Sequence, residues 1–490
     1  MAEIAPPPAP PEEMVRRLAR IVGKDNVLSS DLDRFVYARD RAPFGTYRLR
    51  EGRLPEGWPC VVVRPADVSE VAAVLRLASE TGTPVVPYGA GSGVLGGAAS
   101  LGGEIVIDLK RLSGIIEIDA IDQTVSVAAG MNGALFEAEL RRNGFTCGHL
   151  PQSLAMSTVG GWVACRGAGQ ASSRYGKIED MVLGLEVVLP DGRLLDVRPQ
   201  ARRSTGPDLA GIFVGSEGTM GIIVSATLRI WPVPAARRNL AVGFSTLDGG
   251  LECLRTIMQA GLRPAVVRLY DAVESAARTQ SLDEADHGLF LCLLSFEGPE
   301  RLVAAEEAEA LEMIGGAGGR RIADGPFHEW EAVRYQSYSP QHQAAGRFMD
   351  TIEVTLPWHA LPEGYGRLRA AALRVAPGAH FGAHWSHVYP DGACQYMTLR
   401  LDPAPLDEGE ALHRAVWDAV ERECVALGGA IAHHHGVGLL RGRWMELEHG
   451  AAGFAVIAAV KRAIDPRGIM NPGKLGLPAP AANARSTSNG

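Results

Sequence analysis

The sequence predicts an α+β protein in two parts, a binding domain followed by a mixed α+β substrate or cap domain. Three observations lead there. Apolar strand-like runs alternate with helical ones from residue 59 onward, as in a domain built on strand–helix–strand units. The prolines Pro232 and Pro234 then interrupt the pattern, and a second strand–helix series begins at residue 236. A chain of 490 residues is also longer than one hydrophobic core usually serves.

Taken in order, residues 1–12 are rich in proline and 13–22 read as a short amphipathic helix. Residues 31–58 mix charged and aromatic side chains without a period, so 1–58 are expected to form an N-terminal helix and arm. The first domain, 59–235, opens with strand 60–65, helix 68–80 and strand 84–87, one parallel crossover. Strands follow at 104–109, 115–118 and 124–130, alternating as half-exposed strands do. Asn132 is suited to cap a helix over 134–143, which Gly144 ends. Strand 184–189 enters the turn Pro190-Asp191-Gly192, and 224–231 is the last strand of this unit. The second domain, 236–425, reads as strands at 239–244, 265–270, 289–296, 352–355 and 395–398. Its helices are expected at 251–260, 272–278, 300–315 and 407–427. Residues 426–477 carry a histidine loop and a helix over 450–464, and 478–490 read as a tail.

Composition narrows the function. A formal net charge of −8 with 21% charged residues argues against non-specific nucleic-acid binding, while leaving room for a local basic pocket. The seven cysteines show no CxxC spacing, so neither a disulfide framework nor a zinc or iron–sulfur signature is expected. The first residues have no basic-then-apolar leader pattern and no apolar run reaches membrane-span length. The expected location is cytoplasmic, with peripheral membrane contact and a homodimer both left open.

Three glycine-bearing turns carry the binding signal. In Pro87-Tyr88-Gly89-Ala90-Gly91-Ser92-Gly93 the backbone is nearly bare, and successive amides form a concavity suited to a pyrophosphate. The second turn runs from Pro151 through Ser157 and Thr158 to Gly161; Ser157 there serves either a backbone cap or a phosphate oxygen. The third, Gly215-Ser216-Glu217-Gly218-Thr219-Met220-Gly221, lets the main chain lie flat against a planar ligand. Together they point to a large dinucleotide. Between the second and third, Arg174 and Lys177 either reach a ligand or pair with Glu179 and Asp180.

This set of turns, with Arg174-Tyr175-Gly176 and Glu179-Asp180, resembles the flavin-binding domain of the vanillyl-alcohol oxidase and D-lactate dehydrogenase superfamily. The resemblance covers nearly the whole chain. It implies a two-part FAD-binding domain of vanillyl-alcohol oxidase type with an α+β cap, the flavin lying between them. It implies FAD contacts from Pro87, Gly89, Ala90, Gly91, Ser92 and Gly93, and from Pro151, Ser157, Thr158 and Gly161. Arg174, Tyr175, Gly176, Glu217, Gly218, Gly221 and Ile223 complete the implied set. No residue matches the family's covalent attachment points, so the FAD is expected to be non-covalent.

The chemistry signal is His433-His434-His435 followed by Gly436, because neutral imidazoles accept and relay protons near neutral pH. With His384 and His387 they also make up a rival zinc or manganese set, although no carboxylate nearby in sequence completes it. The stretches Val267-Arg268-Leu269-Tyr270-Asp271 and His387-Val388-Tyr389-Pro390-Asp391-Gly392 resemble alkyldihydroxyacetonephosphate synthase and its bacterial relatives. That resemblance implies a catalytic Tyr396, catalytic His433, His434 and His435, and a substrate-binding Arg268. One departure stands out: in Tyr338–Arg347 no arginine stands at the place expected for the family's second phosphate-binding arginine, with Arg347 as a substitute from another turn. The leading expectation is therefore an FAD-dependent dehydrogenase or oxidase. It would move a hydride from a small 2-hydroxy acid or related alcohol to flavin N5, with an unidentified electron acceptor. The alternative is exchange of an acyl for an alkyl group on a lipid-like substrate through a flavin N5 adduct.

Overall fold

The computed structural model describes residues 9–55, 57–336, 348–401 and 405–478. The stretch Tyr338–Arg347 lies outside them, as does most of the expected tail.

The valine-rich runs Val61–Val63, Ile105–Asp108 and Val85–Tyr88 pair in parallel, as strands buried on both faces do, and Val27–Leu28 joins the edge antiparallel. Helix Val68–Thr81 closes the crossover. Asp67 caps it by accepting from the Glu70 amide, Gly82 ends it in the left-handed region, and Val71, Val74, Leu75 and Ala78 are buried. A second, five-stranded antiparallel sheet runs in the order Ile115–Asp119, Thr124–Ala128, Ile222–Arg229, Val182–Val188, Leu194–Val197. Asn132 caps the helix Gly133–Arg142 beside it.

The second half is a seven-stranded antiparallel sheet. Its order is Gly319–Arg321, Ala236–Phe244, Phe290–Gly298, Val266–Tyr270, His380–Val388, Gly392–Leu401, Phe348–Pro357. Side chains alternate between its faces. Leu240, Val242, Val267, Leu269, Leu294 and Trp385 point into one core with residues of the helices Leu247–Gln259, Leu361–Val375 and Leu406–Ala426. Val266 and Tyr270 point the other way, toward helix Gly325–Val333. The site described below uses that second face.

Three readings change. The expected arm contains two short helices, Asp31–Val36, capped by Ser30, and Pro43–Arg50; neither spans enough turns to show a period in sequence. Strand His380–Val388 is an addition to the expected elements, although Phe381, Ala383 and Trp385 alternate along it with His380, His384 and Ser386. The last long helix starts at Met445, not at residue 450, and bends at Gly450, where φ is 68°. No helix among the described residues is long and apolar enough to cross a membrane.

Candidate active site

On the nucleotide side, strand Val85–Tyr88 runs straight into the first glycine turn. Gly91 has a φ of 64°, and a Cβ there would collide with the Tyr88 hydroxyl. A Cβ on Gly89 would collide with Thr158 Oγ1, and one on Gly218 would lie 2.7 Å from Pro87 Cγ. The first turn thus touches both the second and the third, bringing together stretches far apart in sequence. Among the described residues no protein acceptor takes the N–H groups of Ala90, Gly91, Ser92 and Gly93. Four successive donors beside bare backbone fit a dinucleotide pyrophosphate.

Other expected cofactor residues shape this wall from within. Thr158 caps helix Val159–Cys165 by accepting from the Gly161 amide, and the Ser157 hydroxyl donates to Ser153 O and accepts from Trp162 Nε1 at 2.7 Å. The Pro151 carbonyl accepts from the Leu154 amide, and Gly221 and Ile223 pack beside Val187 at the head of their strand. Arg174 and Tyr175 join the two halves. Arg174 Nη1 donates to Arg263 O at 3.1 Å and the Tyr175 hydroxyl to Glu297 at 2.6 Å, while Gly176 packs on Asp180.

On the cap side, the antiparallel register lines up one row of side chains. Tyr270 stands opposite His384, His384 opposite Tyr396, and Tyr396 opposite Glu353, so all four share a sheet face with Arg268, two residues from Tyr270. Arg268 Nη2 is 2.9 Å from His384 Nε2, and its Nε donates to the Tyr270 hydroxyl at 2.9 Å. His384 stacks on Tyr396 at 4.8 Å between centroids, and Tyr396 lies parallel to His434 at 6.1 Å. Trp330 lies under two guanidinium groups, Arg268 at 5.6 Å and Arg334 at 5.0 Å. The buried Nε of Arg334 has no acceptor among the described residues.

The histidine loop is held by its backbone. Glu353, fully buried, accepts from the amides of His433 and His435 and from Arg441 Nη1 at 2.7 Å. From the other domain, Glu217 accepts from the amides of Val437 at 2.6 Å and Gly438 at 2.8 Å. Gly436 and Gly438 have positive φ, and a Cβ on either would strike Glu217 or the Leu95 carbonyl. Two carboxylates therefore consume four loop amides, which leaves the imidazoles to face the site.

His387 is brought in by strain. Its strand bulges between Trp385 and Val388 and its φ is 74°, a conformation that costs a non-glycine residue about 1–2 kcal/mol. The result is a ring stacked 4.9 Å from His433 and bonded at Nδ1 to Ser172 Oγ.

Burial sets the protonation states. It pushes His387 down to about 3 and holds His433 and His434 well below the imidazole range, so all three are neutral bases. It pushes the Tyr396 phenol up to about 12, which keeps its proton on at neutral pH. Glu353 feels the same push, but the Arg441 guanidinium beside it holds it ionised. Glu421, the second carboxylate on Arg441, is pushed the other way, up to about 8, by burial.

Sequence reasoning missed several of these groups. Glu353 is the carboxylate that seemed lacking, and it sits 80 residues before His433 in sequence. His149, fully buried with neither ring nitrogen partnered among the described residues, lies 4.7 Å from Trp162, tilted by 49°, next to Gly167 and Gly169. Ser172 and Tyr389 gave no signal beyond their composition. Two groups have possible metal-binding atoms within 4.8 Å of one another: His387, His433 and His434, and Glu353, Cys394 and His434.

Residues 59–198 match the FAD binding domain family, and residues 233–475 match the C-terminal domain of FAD linked oxidases. Alkyldihydroxyacetonephosphate synthase of Trypanosoma brucei brucei is 28% identical over 513 residues, covering 97% of this chain and 82% of the relative. The FAD-linked oxidoreductase YgcU of Escherichia coli K12 is 31% identical over 486 residues, covering 94% of this chain and 98% of the relative. Among solved structures, an alkyldihydroxyacetonephosphate synthase superposes with a TM-score of 0.79 at 23% identity, over 96% of this chain and 87% of that one.

Proposed function

The chain belongs to the FAD-linked oxidases of the vanillyl-alcohol oxidase superfamily and is an FAD-dependent enzyme; from that premise we propose that it exchanges the acyl group of an acyl-dihydroxyacetone-phosphate-like ester for a long-chain alcohol. The observation that carries this reading is the pair of guanidinium groups over Trp330, Arg268 and Arg334, beside Tyr396 and the histidine loop. The buried Nε of Arg334 has no acceptor among the described residues, and with the Arg268 guanidinium on the same indole the two positive charges suit a phosphate dianion better than a single carboxylate. Arg334 thus takes the part of the arginine not found at its expected place in Tyr338–Arg347. The similarity to alkyldihydroxyacetonephosphate synthases over nearly the whole chain favours the same class.

The nucleotide side would hold FAD by the amides of residues 90–93 and the turns around Thr158 and Gly218. FAD, when bound, supplies an electrophilic, redox-active ring system next to the substrate carbon. Arg268 and Arg334 fix the phosphate, so the ester carbon is presented toward the histidine loop. The exchange breaks the carbon–oxygen bond to the acyl group and forms one to the alcohol oxygen, with no net oxidation. His434 takes the alcohol proton. Tyr396, protonated and stacked between His384 and His434, donates a hydrogen bond to the departing carboxylate oxygen. The proton returns to the departing acid.

The test is incubation of the holoenzyme with an acyl-dihydroxyacetone phosphate and an ¹⁸O-labelled long-chain alcohol. Label retained in an ether-linked phosphate product is the expected result. Anaerobic bleaching of the flavin by small 2-hydroxy acids, with no labelled ether, would replace this reading with hydroxy-acid oxidation.

A further inference from the structure

Resting on the proton role given to His434, we propose that His433, Tyr389, Ser172 and His387 form a proton relay that stores the proton taken at His434 and hands it back. Four hydrogen bonds join the five side chains. His434 Nδ1 is 2.9 Å from His433 Nδ1, and His433 Nε2 is 3.0 Å from the Tyr389 hydroxyl. That hydroxyl is 3.1 Å from Ser172 Oγ, which is 2.8 Å from His387 Nδ1.

Each hydroxyl and each neutral imidazole has one proton to give. If His433 donates from Nε2 to Tyr389, then His434 must donate to His433, Tyr389 to Ser172, and Ser172 to His387. If His433 donates from Nδ1 to His434, every other bond must reverse. Only these two arrangements satisfy all four bonds, and they differ by one proton, carried on His434 Nδ1 in the first and on His387 Nδ1 in the second.

In the first arrangement His434 Nε2 is free to take the substrate proton. The Nδ1–H bond of His434 then breaks as one forms at His433 Nδ1. The His433 Nε2 proton passes to Tyr389, the Tyr389 proton to Ser172, and the Ser172 proton to His387 Nδ1. No electron moves and no bond other than N–H and O–H is made or broken. The added proton, and its charge, have moved from His434 to His387.

The surroundings fit a store. Ser172, His387 and His433 are 2%, 8% and 7% exposed, so the chain of bonds lies away from solvent. An exchange reaction takes one proton and returns one, whereas net oxidation must release its proton. The strained backbone of His387 serves to aim Nδ1 at Ser172, a residue of the other domain. Thus the relay is complete only when both halves of the molecule are in register.

The experiment is ¹⁵N NMR of histidine-labelled holoenzyme, comparing the native protein with Ser172→Ala, Ser172→Thr and Tyr389→Phe. Ser172→Ala is expected to shift the ring nitrogens of His433 and His434 as well as those of His387, and Ser172→Thr, which keeps the hydroxyl, to restore them. A shift confined to His387 would mean four independent bonds and would overturn the relay. In a second arm, turnover in H₂O/D₂O mixtures should give a curved dependence for the native enzyme. For Tyr389→Phe it should be linear, with kcat lower by about tenfold or more. The same curve in both would also overturn the relay. Because the NMR arm needs no substrate, it decides the relay even if the exchange assay fails.

Discussion

On one side of the candidate site, the backbone amides of residues 90–93 have no protein acceptor among the described residues, in a turn where Gly89 and Gly91 admit no Cβ. On the cap side the reverse holds: the amides of His433, His435, Val437 and Gly438 are taken up by Glu353 and Glu217, and side chains face inward. A surface that binds a large common cofactor can use main chain, since every residue has an N–H. A surface that moves protons needs particular side chains and must first satisfy the main chain behind them. The same loop geometry, glycine with positive φ, serves exposure in one place and concealment in the other.

The comparison breaks most visibly at Glu353. Replacing it by alanine removes the ionised carboxylate from Arg441, which keeps Glu421, and leaves two loop amides without their acceptor in a fully buried setting. The expected loss is about 3–5 kcal/mol of stability, read from urea unfolding, together with loss of turnover. Glu353→Gln should fold better, since its amide oxygen still accepts from one donor, yet should leave Arg441 with only the partly protonated Glu421.

Glu217 tests whether the second carboxylate belongs to the cofactor wall or to the histidine loop. Burial, against the pull of the Val437 and Gly438 amides, raises it to about 7 from an ordinary 4.5. An acid raised in the folded state contributes stability that is full below pH 4.5 and is lost as pH rises through about 7. At 1.36 kcal/mol per pH unit, the native protein should lose about 3 kcal/mol across that window relative to Glu217→Gln. Urea unfolding from pH 4 to 8 checks it. Equal slopes for the two proteins would mean the carboxylate is not held in this buried state.

These two walls were unequally legible in the sequence. The glycine turns could be read because the residues that make each one are consecutive, and their bareness is itself the signal. Arg268 and Tyr396 came from motif resemblance and the three histidines from their imidazole chemistry as well, and the structure brings them onto one sheet face and the loop above it. Glu353 could not be read, because nothing in Ile352-Glu353-Val354 says that its side chain meets a loop 80 residues away. The same is true of Ser172, Tyr389 and His149, whose meaning lies in partners that only the fold supplies. His384 and His387 were visible as a cluster, but their separation was not. One stacks on Tyr396, and the other is turned by a bulge toward Ser172.

The smallest expected effect sharpens the contrast from the nucleotide side. Gly91→Ala adds a methyl group at a φ of 64°, which alone costs about 1 kcal/mol, and directs it at the Tyr88 hydroxyl. Tyr88 is buried, and its ring lies edge-on to Tyr37 at 4.8 Å, so it has little room to swing aside. The turn must give instead, and the four free amides lose their common aim. FAD affinity, followed by quenching of flavin fluorescence on titration into apoprotein, should fall on the order of tenfold, about 1.4 kcal/mol. The ¹⁵N signals of His387, His433 and His434 in the FAD-saturated variant should stay where they are in the native protein, because the amides of His433 and His435 are held by Glu353 of the cap sheet, and the loop meets the first glycine stretch further on, where Leu439 and Leu440 donate to the Leu95 carbonyl. Were those signals to move with FAD affinity, the two walls would be one mechanical unit, and the division of labour between main chain and side chain would have to be abandoned.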